Sequence, residues 1–260
     1  MTAAAACADG SAPELLDALA ADRATGALTT RSGIFYLAAG HVVHVESAHS
    51  PALGDLLTRS GALAPAGWWE AVERAGARQR VGRQLVDSGR LTAGALELAH
   101  LGALFDAAYF ALAHDGTALR FRPGVAHWLG AVRPVTVATV LRESYRRRAL
   151  LDRIWPDAAV DTAPLARTPD ADPAVLPPRR GRALALVDGG RTAAQIASAL
   201  AHRTFHTLVE LRRLAADGLV APAPPAPAPP VHPVPGAGRA DWDEPDTALL
   251  RRLLDALEAL

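Results

Sequence analysis

Apolar positions change period several times along the first half of the chain, and each change marks a predicted element. Leu15, Leu16 and Leu19 recur at helical spacing behind Ser11-Ala12-Pro13-Glu14, whose Ser and Glu sit three apart as in a capping box. This predicts a helix from Ala12 to about Ala21. The period then drops to two. Gly26-Ala27-Leu28-Thr29-Thr30, Ile34-Phe35-Tyr36-Leu37 and His41-Val42-Val43-His44-Val45-Glu46 are rich in aromatic and β-branched residues and are separated by Arg31-Ser32-Gly33 and Ala38-Ala39-Gly40. Short runs of this kind between glycine turns predict an antiparallel meander. Strict alternation in the third run places Val43 and Val45 on one face, and Val42, His44 and Glu46 on the other.

Helical spacing returns after Ser50-Pro51, a pair that reads as a helix start. The helical region is a repeat. Leu53-Gly54-Asp55-Leu56-Leu57-Thr58-Arg59-Ser60-Gly61-Ala62-Leu63 returns as Val81-Gly82-Arg83-Gln84-Leu85-Val86-Asp87-Ser88-Gly89-Arg90-Leu91, with Gly54 and Gly82 28 residues apart. Each copy predicts a short amphipathic helix, a glycine stop and a longer helix. Trp68, Trp69 and Val72 mark the first long helix; one of the two tryptophans is expected in the core and the other is a candidate partner anchor. Leu96, Leu101, Phe105 and Tyr109 lie on the second. Repeated units of this size must pack on each other to cover their apolar faces, so they build scaffold rather than chemistry.

Asp115-Gly116 reads as a turn, and Thr117 to Pro123 as a further strand of the sheet. Val137 to Trp155 predicts a helix with Val140, Leu141, Tyr145 and Leu151 near one stripe and Arg142, Arg146, Arg147 and Arg153 opposite. Residues 156–178, rich in Pro, Asp and Ala, read as a linker or an ordered loop. Residues 179–222 predict three helices, near 182–187, from Thr192, and from about Thr204 to Ala216, before Gly218-Leu219-Val220. This is the outline of a winged-helix-like module. Residues 223–246 form a Pro/Ala-rich spacer. Leu249, Leu250, Leu253, Leu254, Leu257 and Leu260 give an amphipathic helix within 247–260. Residues 11–155 complete the division as one α+β interaction domain. The expected fold class is α+β: a small antiparallel sheet with packed helices and a helical repeat, then the three-helix module and a tethered C-terminal helix.

Composition narrows the function classes. Arginine supplies every side-chain cation apart from histidine, since Lys and Asn are absent, a bias expected of a GC-rich, actinobacterial genome. Formal net charge is zero, which argues against a globally basic nucleic-acid binder. Cys7 is alone, so no internal disulfide is expected. No signal-peptide pattern and no run of about 20 apolar residues appears, so the expectation is a cytoplasmic protein without membrane contact.

Thr25-Gly26-Ala27-Leu28 with Gly33-Ile34-Phe35-Tyr36-Leu37-Ala38-Ala39-Gly40-His41-Val42-Val43-His44 resembles the PATAN (PatA N-terminal) domain. The likeness extends over about residues 12–155, where Leu141-Arg142-Glu143-Ser144-Tyr145-Arg146-Arg147 resembles the family's closing helix. Residues 179–222 resemble the winged-helix domain attached to some members. The resemblance implies a signalling role through protein contacts, with Ras-like bacterial GTPases among the implied partners. Separately, Arg80 to Leu91 is similar to the N-terminal domain of type II secretion and pilus ATPases, some of which bind cyclic di-GMP. Arg80 stands at the nucleotide-contacting place, but Ala52 replaces the matching arginine in the first copy.

Candidate chemistry is sparse. His41, His44, Glu46 and His49 are the one group with metal-ligand character, but one strand spaces such ligands too linearly without a partner from elsewhere, so no metal and no cofactor is expected. No phosphate loop, activated nucleophile or split carboxylate pair appears, and an enzyme is not expected. The expected function is a non-enzymatic regulatory adaptor. Its contact residues are Arg31, Tyr36 and His44 on the hairpin, Arg142, Arg146 and Arg147 on the basic helix, and Leu250, Leu254 and Leu257 on the tail. The alternative is a DNA-binding transcriptional regulator. Residues 179–222 hold seven arginines against three carboxylates, and Arg191, Arg203, His206, Thr207 and Arg213 would contact DNA. A cyclic di-GMP receptor using Arg80 is the further alternative. Oligomeric state is left open.

Overall fold

The computed structural model describes residues 6–8, 11–113, 119–169 and 171–224. The fold is α+β, as the period changes predict. A six-stranded antiparallel sheet runs in the order β1-β5-β2-β3-β4-β6, with β1 at Ala6–Ala8, β2 at Gly26–Thr29, β3 at Ile34–Ala38, β4 at His41–Glu46, β5 at Leu119–Pro123 and β6 at Val135–Thr136. The strand expected near 117–123 therefore joins the sheet between β1 and β2. Its first two residues and the Asp115-Gly116 turn lie outside the described residues.

Helix α1 spans Ala12–Ala21. Its capping box is formed: the Ser11 hydroxyl accepts the Glu14 amide while the Glu14 carboxylate accepts the Ser11 amide. One face of the sheet is covered by α1 and by α6 (Val137–Ile154), around Leu16, Leu28, Phe35, Leu37, Val45 and Val140.

The face assignment of β4 needs correction. Phe35 pairs with Val45 and Tyr36 with His44, but Leu37 pairs with Val42, so Val43 is an extra residue at a β-bulge. The bulge resets the alternation. Val42 and Val45 then share the same core, and His44 points to the opposite side from both.

The repeat is reproduced in three dimensions as α2 (Leu53–Arg59) then α3 (Pro65–Ala75), and α4 (Val81–Asp87) then α5 (Ala93–Ala111). Helix α2 begins after Ala52 with no side-chain cap, not at Ser50-Pro51. The two copies close alike: Leu63 N–H bonds the Leu57 carbonyl and Leu91 N–H the Leu85 carbonyl, while Gly61 and Gly89 both take left-handed φ. Both leading glycines allow close approach. A Cβ at Gly54 would lie 2.5 Å from the Trp68 indole, and one at Gly82 would lie 2.7 Å from Val132. Trp68 is core and Trp69 is exposed.

Residues 156–178 are not a linker. They hold α7 (Ala159–Thr162), β7 (Leu165–Arg167) and a 3-10 turn at Pro173–Val175, and bury Val160, Asp161 and Leu165. Three further helices come after them, α8 (Pro178–Ala185), α9 (Ala193–Ala199) and α10 (Thr204–Ala216), then β8 (Val220–Pro222). Helix α8 starts four residues earlier than expected, at Pro178, because a proline fits a first helical turn. Strand β8 pairs with β7, so the segment read as a linker supplies the second strand of the module. This three-helix module shares its core with the sheet domain: Tyr109 and Phe110 of α5 and Leu151 of α6 pack with Leu184, Ile196, Leu208 and Leu211. The described residues up to Ala223 form one compact unit. The spacer beyond Pro224 and the segment carrying Leu250, Leu254 and Leu257, where a helix is expected, lie outside the described residues.

Candidate functional site

His44, on the face of β4 opposite Val45, meets His100 of α5 and His127 of the loop after β5. The His44 and His127 rings stack at 4.1 Å, and His44 and His100 at 5.4 Å. His127 Nε2 lies 3.1 Å from Glu46 Oε1, and the Tyr36 hydroxyl donates to Glu46 Oε2 at 3.1 Å. The Leu129 amide donates to His127 Nδ1 at 3.3 Å, which places the His127 hydrogen on Nε2, facing Glu46. Tyr36 and Glu46 reach the same place because Ile34 pairs with Glu46 and Tyr36 with His44 on adjacent strands.

All three histidines are buried. Nδ1 of His44 has no hydrogen-bond partner, and neither ring nitrogen of His100 makes a well-formed bond. Burial holds His44 well below the ordinary histidine value, reinforced by the neighbouring His127 and His100. Burial likewise lowers His100 to about 4, with the Val43 backbone acting in the opposite direction. The hydrogen bond from His127 holds the Glu46 carboxyl below its usual range despite partial burial. Burial and then the Glu46 charge push the Tyr36 hydroxyl up to about 12. At neutral pH the site therefore presents neutral His44 and His100 imidazoles beside one fixed carboxylate.

His44, Glu46 and His127 of the cluster line a cavity of about 520 Å³. Leu53, Ala103, Ala107, Trp68 and Leu129 supply apolar wall, and Arg31 stands on its rim, exposed to solvent. That volume lies within the range of small-molecule sites. The donor atoms of His44, Glu46 and His127 all fall within 4.8 Å of one another, so these three residues have the spacing to hold a metal ion.

The hairpin residues expected to touch a partner do not present one surface. Tyr36 is tied to Glu46, and His44 is 4% exposed. His41 is exposed at the turn with its ring on the Ala39 carbonyl, and His49 packs against Phe110, so neither joins His44.

The basic helix divides. Arg142 and Arg146 are exposed, the Arg146 side chain at 84%. Arg147 is a correction: its side chain is 11% exposed, paired with Asp106 at 2.7 Å and Glu143 at 2.9 Å, and lies over the Phe205 ring. It fastens α6 to α5 and α10. Tyr145, expected on the apolar stripe, is instead exposed between Arg142 and Arg146.

The residues assigned to DNA contact divide in the same way. Arg203 crosses Gly102 and donates to the Leu98 carbonyl of α5 at 2.9 Å. Thr207 is buried. Helix α10 has no side-chain cap of its own, and Asp106 of α5 accepts the Phe205 amide instead. The start of the expected recognition helix is thus docked on the chain's own α5. His206 is exposed, while Arg191 pairs with Asp188 and Arg213 with Glu210. The charge excess shrinks further, since Arg180 bridges Glu210 and Asp217 and Arg212 is fully buried against Asp161. Arg80 stands exposed at the cap position of α4.

Sequence reasoning missed His100, His127, Asp106, Asp161 and Arg212. The signal for His100 and Asp106 was a polar residue on the apolar face of α5. His127 lies in a loop, where no period exists to mark it.

No protein-family model, curated protein or solved structure matches this chain.

Proposed function

We propose that this chain is a non-enzymatic regulatory adaptor acting through protein contacts. The observation that carries the reading is the docking of α10 on α5. It removes Arg203 and Thr207 from a groove-reading position and leaves the module as a rigid extension of the sheet domain. The contact surface is the outer face of α6, where Arg142, Tyr145, Arg146 and Arg153 are exposed at helical spacing. Arginine and tyrosine are the residue types that most often carry binding energy, and this row suits an acidic protein surface. The resemblance of residues 12–155 to PATAN domains supports the same reading, with a Ras-like GTPase as the implied partner class.

The test compares capture by the full chain with capture by an Arg142→Glu/Arg146→Glu variant, alongside titration of both with duplex DNA at low salt. Partner loss in the variant, with no DNA affinity in either, supports the adaptor. Salt-dependent DNA binding weakened by Arg203→Ala or His206→Ala would replace it with the regulator reading. Exposure of Arg80 keeps a cyclic di-GMP receptor as a separate reading, and calorimetry with the wild type and Arg80→Ala decides it.

A further inference from the structure

We infer that His44, Glu46 and His127 form a binding site for one divalent transition-metal ion of the zinc class. The inference rests on this cluster and not on the proposed partner surface, so either can fail without the other.

His44 and Glu46 are two residues apart on one strand, so both project from the same face of β4. A third ligand from a distant segment is what such a pair needs to surround an ion, and His127 supplies it from the loop after β5. His44 Nδ1 is buried without a partner. A buried, unsatisfied imidazole nitrogen is costly, and a coordinated cation is one way to satisfy it. Tyr36 holds Glu46 through Oε2 and leaves Oε1 on the His127 side. This is the outer support that keeps a ligating carboxylate in place.

The Glu46 Oε1 to His127 Nε2 distance is 3.1 Å. Two ligands on a tetrahedral zinc with bonds of about 2.0–2.1 Å lie about 3.3 Å apart. Without metal, the Nε2 hydrogen bridges this gap. An ion would take its place, with the imidazole hydrogen moving to Nδ1 and the 3.3 Å contact from the Leu129 amide given up. The His44 and His127 rings stack 22° from parallel, so one must swing edge-on to share the ion. His127 also lies 4.7 Å from the Trp128 ring, which makes tryptophan emission a reporter of that swing. Two imidazoles and one carboxylate suit zinc, cobalt or nickel better than calcium or magnesium. The cavity beside the three ligands gives the remaining coordination position room for water or a small ligand.

The untagged full chain, stripped with a chelator, is titrated with cobalt(II) and then challenged with zinc. The expected result is one cobalt per chain with ligand-field absorption, displacement by one equivalent of zinc, and a change in tryptophan emission. Glu46→Gln and His127→Gln should each weaken binding at least about tenfold, while a His41→Gln/His49→Gln double variant binds as the wild type. Glu46→Gln is isosteric and only partly buried, so it keeps the test decisive if circular dichroism shows that His127→Gln has lost its fold. Absence of stoichiometric ligand-field absorption in the wild type overturns the inference. So does unchanged affinity in Glu46→Gln, which would show that the carboxylate is not a ligand.

Discussion

Arg212 meets Asp161 in a two-pronged ion pair, Nε to Oδ1 at 2.7 Å and Nη2 to Oδ2 at 2.8 Å, with the arginine wholly removed from solvent. Tyr109 donates its hydroxyl to the same carboxylate, and the Trp155 carbonyl accepts from Nη1 of Arg212. The pair therefore joins α10 and α7 to the ends of α5 and α6. Removing one partner strands a buried charge. Asp161→Asn or Arg212→Met should each cost about 3–5 kcal/mol in chemical denaturation. The double variant Asp161→Asn/Arg212→Met should cost clearly less than the two single changes together, because neither charge remains unpaired. Additive losses would contradict this coupling.

Asp106 has two tasks, pairing with Arg147 and accepting the amide of Phe205. Asp106→Ala should destabilise the chain by about 3–5 kcal/mol, since it leaves Arg147 without its closest carboxylate and α10 without a cap. Hydrogen exchange should quicken first at the start of α10. Uniform exchange along α10 would argue against a capping role.

The two copies of the repeat should respond alike. Gly54→Ala and Gly82→Ala each press a methyl group into a neighbour, Trp68 in one case and Val132 in the other. Each should cost about 1–3 kcal/mol by thermal or chemical denaturation. Gly61 and Gly89 face open space but take φ of +74° and +70°, so alanine there should cost about 1 kcal/mol through backbone strain alone.

Acid should destabilise the metal-free chain through buried His44 and His100. An unfolded chain protonates these imidazoles near pH 6.5, whereas burial keeps folded His100 neutral down to about 4, with His44 also held well below 6.5. The unfolded state binds more protons across that window, so stability is complete above about 6.5 and falls as pH drops toward 4. The groups facing His100 here are His44 and His127, with the Glu46 carboxylate beyond His127. Glu46, depressed from 4.5, adds a loss of the same sign only at lower pH. The His100 contribution is on the order of 3 kcal/mol. Denaturation of His100→Leu in chelator should show a flatter profile between pH 6.5 and 4. An unchanged slope would show that His100 does not titrate as its burial implies.

Local signals read well where they were local. Ser11 and Glu14 bracket a helix start with side chains that bond only the backbone beside them, and the 28-residue repeat fixes the order of α2 to α5. The bulge at Val43 was not legible, because it depends on how β4 registers against β3. Without it Val42 is placed on the face of His44 instead of beside Val45, and the partners that complete the cluster, His100 and His127, come from segments far along the chain. Arg212 and Arg213 are adjacent and chemically identical, yet one is buried and the other exposed. Spacing carried a clue, since Arg212 lies four after Leu208 and three before Ala215, on the apolar stripe. Its partner Asp161 sat in a segment whose Pro, Asp and Ala content reads as linker. The carboxylate that makes burial of Arg212 tolerable was therefore invisible.

The central claim is that α6 offers an arginine–tyrosine face to an acidic protein while α10 stays docked on α5. Capture from extracts of the source cells by the full chain, set against the Arg142→Glu/Arg146→Glu variant, tests it most directly. The expected result is a partner held by the wild type and lost by the variant, with both chains equally stable. Equal capture by the two, or capture of DNA in place of protein, would contradict it.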